Sequence, residues 1–171
     1  SKNMLILPAE LVLGSTSRYR AALLKRLVPE FTIAKPLVDE TSHSGETPQA
    51  LAVRLAREKC LAVSARCINA IVIGADQVAD RSGESVGKAG NRANAVIDLQ
   101  KSSGQKLLFH SAVCVQYLGI LYEFVDTTAC HFRVLSLAEI NTYLDIDEPF
   151  DCAGSIKTES YGISLLSRME S

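Results

Sequence analysis

The chain has 171 residues, 47% hydrophobic and 22% charged, with a net charge of −1. That suits one domain able to bury a core, and the lack of any polybasic run speaks against bulk binding to nucleic acid or to an anionic membrane. No apolar segment approaches transmembrane length, and the start, Ser1-Lys-Asn-Met4, does not read as a secretory signal.

In chain order, residues 11–13 (Leu-Val-Leu) predict a short buried strand. Gly14 lets the chain turn. Ser15, Thr16 and Ser17 are small and polar, and Ser17 suits the N-cap of a helix. Leu23, Leu24, Leu27 and Val28 recur at helical spacing, which starts that helix near Arg18. Backbone N–H groups, hydroxyls and the guanidinium groups of Arg18 and Arg20 thus converge on one point. One reading is an anion site, with phosphate as the natural ligand. The other is an ordinary capped turn with surface arginines, whose charge opposes the helix dipole there.

Residues 31–34 predict a second strand, and 36–45 a loop that carries Asp39, Glu40 and His43. Thr47 and Pro48 sit where an N-cap and first helical residue belong. The helix they open runs to about Arg66, with Leu51, Leu55 and Ala62 on one face. Lys59 falls on the same stripe, four residues after Leu55. A lysine there either snorkels to solvent or reaches an anion at the edge of the core.

Residues 70–78, Ala-Ile-Val-Ile-Gly-Ala-Asp-Gln-Val, predict a central strand in which Gly74 and Ala75 permit close approach. Asp76 is expected where the strand emerges, the position at which open α/β sheets bind ligands. A carboxylate there suits a divalent metal or a proton taken from water; the plain alternative is a turn-forming aspartate. Gly83 marks a turn, and Gly87-Lys88-Ala-Gly90 reads as a flexible basic loop. Asn91 can cap a helix to about Lys101, with Ala95, Val96 and Leu99 as its apolar face. Residues 107–118 and 121–135 predict two long strands in an antiparallel hairpin around Gly119. Ser136 caps a helix through roughly Asp145, and Pro149 stops it. In 151–162 small residues again allow close approach, and Lys157 and Glu159 are expected on one face of an extended stretch. Residues 163–166 predict a last short strand. The order, βαβαβα, hairpin, helix, predicts an α/β fold with a mixed sheet flanked by helices.

Five cysteines (Cys60, Cys67, Cys114, Cys130, Cys152) form no C-x-x-C pair. Reduced, mostly buried thiols in a cytoplasm are the simplest account. The histidines His43, His110 and His131 lack ligand spacing, which argues against zinc.

Several segments together resemble the Maf family of nucleoside triphosphate pyrophosphatases, fold relatives of the inosine triphosphate pyrophosphatases. They are Leu-Gly-Ser-Thr-Ser-Arg-Tyr-Arg (13–20), Val-Asp-Glu (38–40), Gly-Glu-Thr-Pro (45–48), Arg-Leu-Ala-Arg-Glu-Lys (54–59), Ile-Gly-Ala-Asp-Gln (73–77), Gly-Lys (87–88) and Cys-Ala-Gly-Ser-Ile-Lys-Thr-Glu (152–159). Each is weak alone; in this order along nearly the whole chain they are specific. Gln77 after Asp76 and the Cys-Ala-Gly-Ser form are more like the subgroup that cleaves 7-methyl-GTP. The subgroup that cleaves dTTP and UTP typically has threonine in place of Gln77.

The resemblance implies an elongated, twisted mixed sheet in a single domain over 1–171, with roles for particular residues. Ser15 and Arg20 would bind phosphate oxygens, with positive charge added by Lys59, Lys88 and Lys157. Asp76 would accept the proton of the attacking water. Glu40 and Asp76 would hold a divalent cation, Mg2+ or Mn2+. Tyr19, Gln77 and Glu159 stand at positions linked to base selection. The implied partner is a small-molecule nucleoside triphosphate; the family also suggests a homodimer. The chain departs from the family pattern in three places: Ala21 where a second arginine is common, Tyr19 where tryptophan is frequent, and Ala89 where proline usually follows Gly-Lys. The family continues past the position of Ser171 with a Gly-Leu-Pro-containing segment and a final helix, so the chain would lack that end. Two other functions compete: the sister activity on dTTP and UTP, and a nucleotide-binding regulator of cell division, because the family was first associated with septum formation. A P-loop NTPase is disfavoured, since Gly14-Ser-Thr-Ser-Arg-Tyr-Arg lacks the G-x-x-x-x-G-K-[ST] pattern.

Overall fold

Four residues without a charge or hydroxyl, Leu11–Gly14, form β1, and all four are buried. The computed structural model describes residues 6–171, so the reading of residues 1–4 lies outside the described residues. Ser17 caps α1 (Arg18–Lys25), its hydroxyl accepting from Arg20 N. β2 (Thr32–Ile33) lies parallel to β1. α2 (Pro48–Ser64) starts with proline at its first position, where a missing N–H costs no hydrogen bond. β3 (Ile71–Arg81) is parallel to β1 in a register that sets Gly14 beside Gly74.

β3 then turns through Ser82-Gly83 into β4 (Glu84–Val86), its antiparallel partner. α3 (Arg92–Ser102) is capped by Asn91, which accepts from Asn94 N. β5 (Lys106–Tyr117) and β6 (Ile120–Phe132) follow. α4 (Leu137–Asp147) opens with a reciprocal cap between Ser136 and Glu139. A short 3-10 helix, Tyr161–Leu165, leads into β7 (Leu166–Glu170), antiparallel to β6. The strands form one seven-stranded mixed sheet, ordered β2-β1-β3-β5-β6-β7 with β4 paired to β3. The expected α/β fold with a mixed sheet is therefore what forms.

Two local expectations are corrected. β3 does not end near Asp76. It runs five residues further, because Ala79, Asp80 and Arg81 find partners in β4. Residues 163–166 are not a strand: the Ser164 hydroxyl donates to Tyr161 O and Gly162 N donates to Lys157 O, so local hydrogen bonds win over extension until Leu166.

The chain packs as two compact units. One comprises residues up to 44, 50–76 and 111–125; its core joins Leu11, Val28 and Ile71 to Leu24, Phe31, Ile73, Val115 and Tyr117. The other comprises 45–49, 77–110 and 126–171; its core centres on Leu99, Leu107, Phe132, Ile140 and Leu144, with α3 packed on α4. In that second unit His110 is buried between Asp80 Oδ2 (2.7 Å) and Thr127 Oγ1 (2.8 Å). All five cysteines are free thiols, and Cys60, Cys114 and Cys130 are buried. Burial pushes the Cys130 thiol up to about 11. Among the described residues no helix is long and apolar enough to cross a membrane.

The loop between β5 and β6 is two residues, Leu118-Gly119, both with positive φ (49° and 78°). That is the type I′ geometry of tight antiparallel hairpins, in which asparagine is favoured first. Leucine in the left-handed region carries a penalty of about 1–2 kcal/mol, and Leu118 is 69% exposed, so little burial offsets it. Leu118→Asn is expected to raise stability by about 1 kcal/mol, seen as a higher urea midpoint at unchanged slope. A lower midpoint would mean that the leucine side chain contributes more than its exposure suggests.

Candidate functional site

β1 ends at Gly14 and delivers a buried Ser15 to the start of α1. Ser15 Oγ accepts from Ser17 N and from Arg20 Nη1, each at 3.2 Å. Arg20 thus folds back from the first turn of α1 onto the end of β1. Burial pulls the Arg20 pKa down, while Asp76 and Glu40 act in the opposite direction by their charge. The arginine reads as part of an acidic site and not as a surface charge. Tyr19, its neighbour, is half exposed.

β3 places Asp76 two residues beyond Gly74, past the end of its pairing with β1 and before its pairing with β4. The residue is only 7% exposed. From α2, Lys59 reaches the same point: its ammonium donates to Asp76 Oδ1 and to Glu40 Oε1, at 2.7 Å each. The stripe lysine therefore does not snorkel; it meets two carboxylates. Burial pushes the Asp76 carboxyl above its ordinary range, against the opposing pull of Lys59 and Arg20.

Glu40 lies in the loop after β2, and the residues that steady it went unassigned in the sequence. Thr41 donates to Asp39 Oδ1 from its amide (2.9 Å) and its hydroxyl (2.6 Å), which holds the Asp39 carboxyl below its usual range. Arg54 of α2 donates to Thr41 O at 2.9 Å and to Glu58 at 3.1 Å. Loop and helix are thus tied beside the carboxylate that Lys59 also holds. The signal was Arg54 and Glu58, four apart in the Arg-Leu-Ala-Arg-Glu-Lys segment.

Ser15, Arg20, Glu40, Lys59 and Asp76 form one cluster within the first unit. Its donor set can be weighed for a divalent metal. Two carboxylates already share one cation, the Lys59 ammonium, so the spot favours positive charge. Hard oxygens suit Mg2+, which commonly takes one or two carboxylates and completes its shell with phosphates and water. Among the described residues no group of three or more His, Cys, Asp or Glu could hold a metal by itself. The set fits a cation that depends on a phosphate ligand as well.

Gln77, Lys88, Lys157 and Glu159 belong to the second unit. Gln77 and Lys88 are exposed. Lys88 bridges to Ala153, and Gly154 N donates to Gly87 O at 3.4 Å, so the Gly-Lys loop lines up along the 152–159 segment. Ser155 in that segment is fully buried and donates to Asp98 Oδ2 at 2.9 Å. Lys157 and Glu159 do not alternate along an extended strand. Glu159 lies in a turn that follows Lys157, because Ser160 N and Gly162 N both donate back to Lys157 O. Lys157 is half-buried and Glu159 exposed.

Residues 10–171 match the family model described as Maf-like protein. Curated proteins named 7-methyl-GTP pyrophosphatase are similar along almost the whole chain. One from Albidiferax ferrireducens is 46% identical over 163 residues, covering 94% of this chain and 82% of its own. One from Xanthomonas oryzae pv. oryzae is 48% identical over 161 residues, covering 94% and 85%. One from Bordetella pertussis is 46% identical over 166 residues, covering 96% and 83%. Among solved structures, a HAM1 protein from Coxiella burnetii aligns with 72% of this chain and 73% of its own at a TM-score of 0.48 and 15% identity.

Proposed function

The chain belongs to the Maf family, and from that premise we propose that it hydrolyses a modified nucleoside triphosphate, 7-methyl-GTP first, to the monophosphate and pyrophosphate. The observation that carries the reading is the ammonium of Lys59 shared at 2.7 Å by Glu40 and Asp76, with Arg20 held on Ser15 beside them. A buried carboxylate next to two cations and a hydroxyl suits an anionic substrate attacked by water.

A triphosphate carries about four negative charges near neutral pH. Arg20, Ser15 and Lys59 offer donors to its oxygens, and Lys88 and Lys157 keep the phosphate-binding roles that the family likeness gives them. Asp76 accepts the proton of the water that attacks the α-phosphorus; the bond from that phosphorus to the β-phosphate oxygen breaks, and pyrophosphate leaves. A carboxylate raised by burial is a stronger base than a solvated one. Glu40 and Asp76 would hold Mg2+ or Mn2+, which when bound supplies charge neutralisation at the phosphate oxygens.

On the base side, N7-methylation leaves guanine with a positive ring. An exposed aromatic such as Tyr19 gains about 1–2 kcal/mol by stacking on it. Glu159 and Gln77 carry the base-selecting roles, the carboxylate accepting from guanine N–H groups. A homodimer in the cytoplasm completes the reading.

The test is a panel of triphosphates, including 7-methyl-GTP, GTP, dTTP and UTP, assayed for pyrophosphate release with Mg2+ or Mn2+. We expect 7-methyl-GTP to show a kcat/KM at least about tenfold above the others, the discrimination that a stacking gain of that size supplies. Faster cleavage of dTTP and UTP would move the chain to the sister activity, and binding without any pyrophosphate release would make it a regulator.

A further inference from the structure

α4 carries a pair of residues that nothing so far uses. Tyr143 and Asp147 are four apart and so share one face of the helix. Tyr143 is 3% exposed, and its oxygen accepts from Lys157 N at 2.8 Å. Asp147 accepts from Ser160 Oγ at 2.8 Å and from Tyr161 N at 3.1 Å. The two side chains therefore grip both ends of a single turn, with Glu159 between the grips. Burial above all, and the Asp147 carboxylate beside it, push the Tyr143 phenol well above its usual range. The phenol stays protonated, and its oxygen receives the Lys157 amide.

The backbone of Lys157 is thus fixed at both polar atoms. Its N–H goes to Tyr143, and its C=O receives Ser160 N (3.1 Å) and Gly162 N (3.0 Å). A Cβ on Gly162 would stand 2.4 Å from that carbonyl, so the closure tolerates no side chain there. A surface turn meant only to join α4 to β7 needs none of this. A turn that must present a lysine and a glutamate in fixed positions does.

We infer that Tyr143 and Asp147 are positioning residues for substrate: they hold the 157–159 turn so that Lys157 meets the triphosphate and Glu159 the base. The inference rests on the functional reading above, since it needs Lys157 to touch substrate. Neither residue contacts the reacting atoms; both act through Lys157 and Glu159.

Steady-state hydrolysis of 7-methyl-GTP tests it in four proteins: wild type, Tyr143→Phe, Lys157→Met and the double variant. Lys157→Met is expected to raise KM at least tenfold. Tyr143→Phe, which removes one oxygen and keeps the ring, is expected to raise KM about fivefold with kcat within twofold, the loss that one hydrogen bond represents. The double variant should lose less than the product of the two single effects, because without its lysine the turn has only Glu159 left to position. Asp147→Asn keeps an acceptor for Ser160 and should recover most of what Asp147→Ala loses; this pair decides the matter if Tyr143→Phe melts early. If Lys157→Met raises KM while Tyr143→Phe leaves it unchanged, or if the two effects multiply in the double variant, the positioning role is overturned and the functional reading stands. If Lys157→Met leaves KM unchanged, the positioning role is likewise overturned and the functional reading stands; if the wild type does not turn over 7-methyl-GTP, both fall.

Discussion

Asp76→Asn is expected to lower kcat by about 10³-fold while the triphosphate still binds, the loss that removal of a positioned general base brings. The substitution keeps the shape of the side chain and removes only its charge and its capacity to take a proton. The residue sits in a nearly closed position where burial already opposes the charge, so folding loses little: the ion pair with Lys59 goes, but so does the cost of burying a carboxylate. Lys59 retains Glu40, at 2.7 Å on its other side, and Arg20 retains Ser15. The phosphate-binding cations therefore stay in place. Single-turnover release of pyrophosphate gives the rate, and calorimetric titration with an α,β-methylene triphosphate gives the affinity. Hydrolysis near the wild-type rate would remove Asp76 as the base. Loss of binding together with turnover would recast it as a residue that holds the cluster together.

What could be read in advance was whatever leaves a local mark. The N-caps at Ser17, Asn91 and Ser136 are set by chemistry within a few residues, and they form as expected. Lys59 stood out because a charge on an apolar stripe must be answered by something. The answer, Glu40 and Asp76, lies 19 and 17 residues away and is set by tertiary packing, which no window of sequence displays. Asp76 was expected at a strand end because a carboxylate after four apolar residues looks like an exit; the continuation depends on β4, three residues long and too short to announce itself. The same limit hid Arg54, Tyr143 and Asp147. Each is an ordinary residue for an amphipathic helix, and each gains its role from a loop that folds back on it.

Gly74→Ala is expected to destabilise the chain by about 3 kcal/mol or more, the upper end of what overpacking brings. Gly74 lies where β3 runs against the backbone of α2. A methyl group there would stand 2.4 Å from Ala56 O, 2.5 Å from Cys60 N and 2.8 Å from Cys60 Cα. No side-chain rotation relieves contacts with main-chain atoms, so strand and helix must move apart. They are also the elements that carry Asp76 and Lys59, two and one residues along from the contact, so their separation strains the 2.7 Å bond between them. A loss in kcat/KM should accompany the loss in stability even in the fraction that remains folded. The other glycines supply the scale. Gly14→Ala meets Ile73 O and Val63 Cγ2 at 3.1 Å, and one of these is a side chain that can yield, so a smaller effect is expected. Gly87→Ala meets nothing within 4 Å and should fall within about 0.5 kcal/mol of the parent. Thermal melts rank the three, and for a chain of this length 3 kcal/mol corresponds to a drop of roughly 6–12 °C. If Gly74→Ala melts with Gly87→Ala, β3 and α2 have room to spare, and the close approach does not set the distance between Lys59 and Asp76.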